Sequence, residues 1–85
     1  MARVEVYTTP SCPYCVRAKR LLQERGIPYE EIDVAADDAL RAQIVQRSGR
    51  RTVPQIFIDE QPIGGYDELH AMDVRGELRA LQQGA

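Results

Sequence analysis

Long apolar runs are missing from this sequence. The longest, such as Gln55-Ile56-Phe57-Ile58, are of strand length, far short of the roughly 20 residues that cross a bilayer, so no membrane span is expected. The opening MARVEVYTTP holds neither an apolar stretch of signal-peptide length nor a small-residue cleavage site, which points to the cytoplasm. A charge excess of either sign is also lacking. Eleven Lys and Arg stand against 13 Asp and Glu, for a net charge of −2, and that balance argues against a surface-wide footprint for DNA or RNA. Cysteine is scarce, with two in 85 residues, too few to staple a small secreted protein. In a reducing compartment a close pair is more often catalytic or metal-binding than structural. Internal repeats, low-complexity tracts and linkers are absent as well, so residues 1–85 are expected to form one small domain with a modest core.

What is there reads as alternating strands and helices. Arg3-Val4-Glu5-Val6-Tyr7 alternates polar and apolar side chains and predicts a strand. Thr8 to Ser11, with Pro10 inside, is a turn, and Pro13 suits the first turn of a helix because its missing N–H costs nothing there. That helix runs to about Arg25, with Cys15, Ala18, Leu21 and Leu22 on its apolar face and Arg17, Lys19, Arg20 and Glu24 on the wetter one. Gly26 closes it as a left-handed cap and Pro28 prevents its resumption. Tyr29 to Val34 predicts a second strand. Asp37 or Asp38 caps a second helix, with Leu40 and Ile44 one turn apart, that ends at Ser48-Gly49. Val53 to Asp59 predicts a third strand and Ile63 a short fourth, joined by turn residues Asp59 to Pro62 in an antiparallel hairpin. Asp67 to Gln83 predicts a last helix, bent or split at Gly76. The order β-α-β-α-β-β-α implies an α/β fold, a four-stranded mixed sheet flanked by helices, whose first two strands run parallel through a helical crossover.

The two cysteines stand in Cys12-Pro13-Tyr14-Cys15, between the first strand and the first helix. Cys12 lies at the helix N-terminus, where unpaired N–H groups and the positive end of the helix dipole favour an anion. A cysteine so placed is commonly ionised and reactive near neutrality. Cys15 is three residues on, on the same helical face and within disulfide reach. The asymmetry assigns roles: Cys12, exposed, attacks, and Cys15, one turn into the helix, resolves the mixed disulfide. A passive staple closing so short a loop would remove little unfolded-state entropy. A structural zinc site takes four protein ligands, and beyond the two cysteines only His70 remains as a soft donor, so no metal site is expected. His70 itself reads as a surface or half-buried helix residue with no catalytic part. Thr52-Val53-Pro54 precedes the third strand, where a proline shapes the chain rather than pairing in the ladder.

Together, Cys12-Pro13-Tyr14-Cys15, Thr52-Val53-Pro54 and Gly64-Gly65-Tyr66-Asp67 resemble the dithiol glutaredoxins of the small bacterial type, and the resemblance runs over nearly the whole chain, including Arg47-Ser48-Gly49-Arg50 and Gln55-Ile56-Phe57-Ile58-Asp59. It implies a thioredoxin fold with Pro54 cis and facing the cysteines, and a disulfide oxidoreductase that has no tightly bound cofactor and draws electrons from glutathione. By position it also implies a glutathione groove formed by Tyr14, Thr52, Val53, Pro54, Gly65, Tyr66 and Asp67, with Arg41 at the glycyl carboxylate. Such a groove makes physical sense, because an extended peptide pairs with backbone at Val53 like one more strand, while its charged ends need an anion such as Asp67 and cations or N–H groups. One departure stands out. Many relatives carry a lysine shortly before the first cysteine, where this chain reads Thr8-Thr9-Pro10-Ser11, and Arg51 is the nearby cation that could compensate.

The expected partners are glutathione and disulfide-containing or glutathionylated proteins, with ribonucleotide reductase among the targets the family suggests, and the chain is expected to be monomeric. Two other functions fit the same residues: a redoxin reduced by thioredoxin reductase, against which the Tyr14, Thr52–Pro54 and Gly64–Asp67 groove argues, and a carrier in which two chains and two glutathiones hold an iron-sulfur cluster, which the stiff Pro13 disfavours.

Overall fold

The computed structural model of the chain describes residues 3–81. Five residues, Val4–Thr8, form β1, buried along its whole length. Pro13–Glu24 forms α1, Glu30–Asp33 β2, Asp38–Ser48 α2, Gln55–Ile58 β3, Gln61–Gly64 β4 and Tyr66–Val74 α3, and a 3-10 turn follows at Glu77–Leu81. The strands line up as β2-β1-β3-β4. β1 and β2 are parallel, as a helical crossover requires, and β1 with β3 and β3 with β4 are antiparallel. This is the thioredoxin fold.

Strand alternation sorts the core onto two faces. Val4, Val6 and Ile56 pack with Ala18, Leu21 and Leu22 of α1, Leu69 of α3 and Leu78. On the opposite face Tyr7 and Phe57 pack with Val34 and with Ile44 of α2, their rings meeting edge-on at 5.4 Å. Arg47, in the last turn of α2, reaches down onto this second face. Its guanidinium lies 4.1 Å from the Phe57 ring centre, donates to the Tyr7 hydroxyl at 2.7 Å and stands 3.6 Å from the carboxylate of buried Glu5. A charge on a sheet interior is thus paired and hydrogen-bonded rather than abandoned.

The helix ends follow the sequence signals. Asp37, not Asp38, is the cap of α2, accepting the Leu40 N–H at 3.0 Å, and Gly49 ends that helix with φ 75°. Gly26 takes φ 67° after α1. Three expectations need correction. The hairpin turn is tighter than Asp59 to Pro62: Asp59 and Glu60 alone make it, with φ of 50° and 69°, the mirror-type turn whose twist suits a two-residue hairpin. β4 therefore starts at Gln61 and contains Pro62, tolerated because β4 is an edge strand. β3 is shorter than expected, since Pro54 has no N–H for the ladder. The last helix begins at Tyr66 and stops at Val74, with Gly76 at φ 78° separating it from the 3-10 turn; its expected end at Gln83 lies outside the described residues.

Candidate active site

Because β1 and β3 run antiparallel, with Tyr7 opposite Gln55, the exit of β1 and the entrance of β3 lie side by side. The Thr9 to Cys12 turn, closed by a Cys12 N–H bond to the Thr9 carbonyl at 3.4 Å, is thereby set against Thr52-Val53-Pro54. The Val53–Pro54 peptide is cis. The Val53 carbonyl faces the first cysteine, 3.5 Å from Cys12 Sγ.

Cys12 is the N-cap of α1, with extended backbone (φ −91°, ψ 114°) and Pro13 following at the first helical position. Its sulfur does what a serine or aspartate oxygen does at such ends, accepting the Cys15 N–H at 3.4 Å. The partly exposed sulfur is thus held where the helix presents donors and positive potential. Cys15 is its opposite, fully buried. Burial pushes its thiol up to about 12, with the Thr9 backbone and the Lys19 ammonium pulling the other way and neighbouring Cys12 adding to the rise. One cysteine is presented and the other is stored.

Lys19 departs from the expected wet face of α1. It is half-buried, and its ammonium reaches Glu31 of β2 at 2.8 Å. The same carboxylate oxygen accepts the hydroxyl of buried Thr8 at 3.2 Å. Arg17 stays outside, 5.3 Å from the Tyr14 ring centre.

Beside Cys12 a groove of about 160 Å³ is lined by Tyr14, Thr52, Val53, Pro54, Gly65, Tyr66 and Asp67, and also by Arg50 and Glu68. Tyr14 and Tyr66 form its aromatic wall, their rings 6.4 Å apart. Tyr66 in turn stacks on His70 at 5.8 Å, which gives His70 an exposed, supporting place away from the sulfurs. Gly65 closes the groove floor, where a Cβ would stand 3.2 Å from the Pro54 carbonyl oxygen. Gly65 is the N-cap of α3, and Glu68 in the helix's first turn reaches back to accept its N–H at 2.8 Å and pairs with Arg50 at 2.7 Å. Both contacts hold its carboxyl below the ordinary range, the Gly65 N–H first. Asp67, free of that duty, stays exposed at the groove.

Arg41 is the predicted residue that the structure places elsewhere. With Arg51 it lines a second, more apolar hollow of about 300 Å³ that meets the first only at Val53, and its Nε donates to the Val34 carbonyl at 3.1 Å. Arg51, the expected substitute for the missing lysine, lies in this same hollow. Arg50 and Glu68 were missed by sequence reasoning. The motif window Gly64 to Asp67 stops one residue short of Glu68, and nothing in a run of two arginines says which one turns toward α3. Among the described residues no cluster of three or more His, Cys, Asp or Glu side chains could hold a metal ion, and no helix is long and apolar enough to cross a membrane.

Comparison with known proteins agrees with this geometry. The glutaredoxin family model matches residues 4–63. Glutaredoxin 3 of Escherichia coli K12 is 53% identical over 81 residues, covering 95% of this chain and 98% of that protein, and a glutaredoxin of Pseudomonas aeruginosa is 48% identical over 81 residues, covering 95% and 96%. Among solved structures, a buckwheat glutaredoxin–glutathione complex superposes with a TM-score of 0.86 at 32% identity, covering 94% of this chain and 76% of the other. The solution structure of a glutaredoxin from Brucella melitensis gives 0.84 at 48% identity, covering 100% and 94%.

Proposed function

The chain belongs to the glutaredoxin family, and from that premise we propose that its thiol–disulfide oxidoreductase activity uses Cys12 as nucleophile and Cys15 as resolving thiol, with glutathione as the electron donor held in the groove beside Tyr14. The observation that carries the assignment is the contrast between the two sulfurs: Cys12 caps the helix at the mouth of the groove, and Cys15 is buried behind it.

Glutathione is an extended peptide with a free α-amino group, an α-carboxylate and a glycyl carboxylate. Its backbone would lie along Val53 as an added strand, its ammonium toward Asp67, and its glycyl carboxylate toward Arg41 and Arg51 across the Val53 saddle, while Thr52, Pro54, Gly65 and Tyr66 shape the bed. In the monothiol route Cys12 thiolate attacks the glutathione sulfur of a glutathionylated protein, the protein thiolate leaves, and a second glutathione frees Cys12 as glutathione disulfide. In the dithiol route Cys12 attacks a protein disulfide, Cys15 attacks Cys12 Sγ, and the protein leaves with both thiols reduced while the Cys12–Cys15 pair is oxidised by two electrons. Glutathione then reduces that pair. We read residues 1–85 as one such domain working as a monomer in the reducing cytoplasm on disulfide-containing or glutathionylated proteins.

The test is turnover coupled to glutathione and glutathione reductase, run beside thioredoxin reductase. Cys12→Ser should abolish both routes, and Cys15→Ser should retain deglutathionylation while losing protein-disulfide reduction. Normal activity in Cys12→Ser, or electron supply from thioredoxin reductase alone, would refute the proposal.

A further inference from the structure

The dithiol route has a difficulty that the cysteine pair does not solve. Cys15 must lose a proton to attack, yet it is fully buried, and burial disfavours the thiolate. A positive group beside it would lower that barrier, and the chain places one there by an unusual construction.

Lys19 follows Cys15 by four residues on α1, so the two side chains start on the same face about one turn apart. An exposed lysine would extend into water. This one is held across the end of the sheet by Glu31 of β2 at 2.8 Å, and Glu31 is itself braced by the Thr8 hydroxyl at 3.2 Å. Thr8 is the last residue of β1, and the backbone of the next residue, Thr9, favours the Cys15 thiolate against burial. Two branches from the exit of β1 therefore converge on one thiol: the backbone through Thr9 and a fixed ammonium through Thr8, Glu31 and Lys19.

The sign of the field follows from exposure. The Lys19 side chain is 23% exposed and that of Glu31 43%, so the carboxylate is the better screened of the two as well as the farther along the chain of contacts. The other groups that face this cluster are Cys12 on α1, whose own thiolate opposes a second one, and Tyr29 ahead of β2, which acts on Lys19. When Cys12 is in a mixed disulfide its charge is gone, and the Lys19 ammonium, four residues on along the same helix, is the charge left acting on Cys15. We propose that Lys19, oriented by Glu31 and Thr8, is the positioning residue for the resolving step, favouring the Cys15 thiolate at the moment Cys12 is tied up in a mixed disulfide.

The step balances: the Cys15 proton leaves to solvent, its thiolate forms the Cys12–Cys15 bond, the bond from Cys12 Sγ to the departing sulfur breaks, and the leaving thiolate carries away the electron pair. This inference rests on the assignment of Cys15 as resolving thiol. Reduced protein is mixed with glutathione disulfide or, separately, hydroxyethyl disulfide, quenched with acid at set times, and the mixed disulfide and internal disulfide are separated by mass across a range of pH. With Lys19→Met the midpoint of the pH–rate profile for resolution should rise by about one unit and resolution near neutral pH slow roughly tenfold. Lys19→Arg should return the profile to within about twofold of wild type, the charge being what matters. In a Cys15→Ser background Lys19→Met should not slow formation of the Cys12 mixed disulfide. Lys19→Met/Glu31→Leu, which leaves no lone carboxylate, makes the same comparison if the single variant folds poorly. An unshifted profile without the charge, no recovery by arginine, or an equal loss in the Cys15→Ser background overturns the proposal. Hydroxyethyl disulfide reaches Cys12 without a glutathione groove, so a chain that resolves this adduct but never the glutathione one contradicts the glutathione reading while still reporting on Lys19.

Discussion

Reduced protein should lose stability in alkali through Cys15. The folded chain raises this thiol from 9.0 to about 12, so it keeps a proton that the unfolded chain releases above about pH 9. The stability carried by the neutral thiol is therefore complete below that pH and is lost as pH climbs toward 12, at up to about 1.4 kcal/mol per unit. At about pH 10.5 the full shift amounts to roughly 2 kcal/mol, and water in the open groove one helical turn away halves this to about 1 kcal/mol. With an m-value near 1 kcal/mol/M for so small a chain, that is a fall of about 1 M in the urea midpoint. The assay is urea unfolding followed by far-ultraviolet circular dichroism, with a phosphine reductant, at about pH 8 and about pH 10.5. Tyrosines and lysines also titrate there, so Cys15→Ser is the reference: it shares every other group, and the extra loss in wild type belongs to Cys15. If both proteins lose stability in parallel, the thiol is not protected by burial, and the distinction drawn between the two sulfurs fails with it.

Two further substitutions probe the scaffold. Gly64→Ala forces a Cβ onto φ 111° and to 2.3 Å from Glu68 Oε1. It should cost about 2 kcal/mol in urea unfolding and raise KM for a glutathionylated peptide by loosening the cap of α3, whereas unchanged stability would mean that Glu68 swings away freely. Arg47→Met removes the hydrogen bond to Tyr7 and one of the two guanidinium groups beside buried Glu5, that of Arg3 remaining at 3.6 Å. A loss of about 2 kcal/mol is expected, from a charge-assisted hydrogen bond and one of the two cations beside a buried carboxylate, and a loss below about 0.5 kcal/mol would show the cluster to be solvent-like.

The order of elements was legible because each is bounded by local chemistry: Pro13 starts α1, Asp37 and Gly49 bracket α2, and Gly76 stops the last helix. The active-site pair was legible for the same reason, since Cys12 caps the helix that Cys15 belongs to, and four residues of sequence contain the whole arrangement. Sequence failed where a side chain's direction depends on a distant strand. Lys19 looked like one more cation on a wet face, because its partner Glu31 lies on β2 and only the parallel pairing of β1 with β2 brings them together. Arg50 was missed for a similar reason: it stands just past the end of α2, and its turn into the groove with Tyr14 is set by its pairing with Glu68 of α3, not by its neighbours in sequence. The tight turn was misread because neither Asp59 nor Glu60 is a glycine, yet both adopt positive φ.

The outer strands of the sheet are β2 and β4. An open sheet rim is a template on which another chain can crystallise its own backbone, one strand at a time. Here the β4 rim carries Pro62, which breaks the row of donors, and the β2 rim carries exposed Glu30, Glu31 and Asp33, which would meet their own copies as a row of like charges. Both rims are thereby guarded against edge-to-edge joining with another chain's unpaired strand.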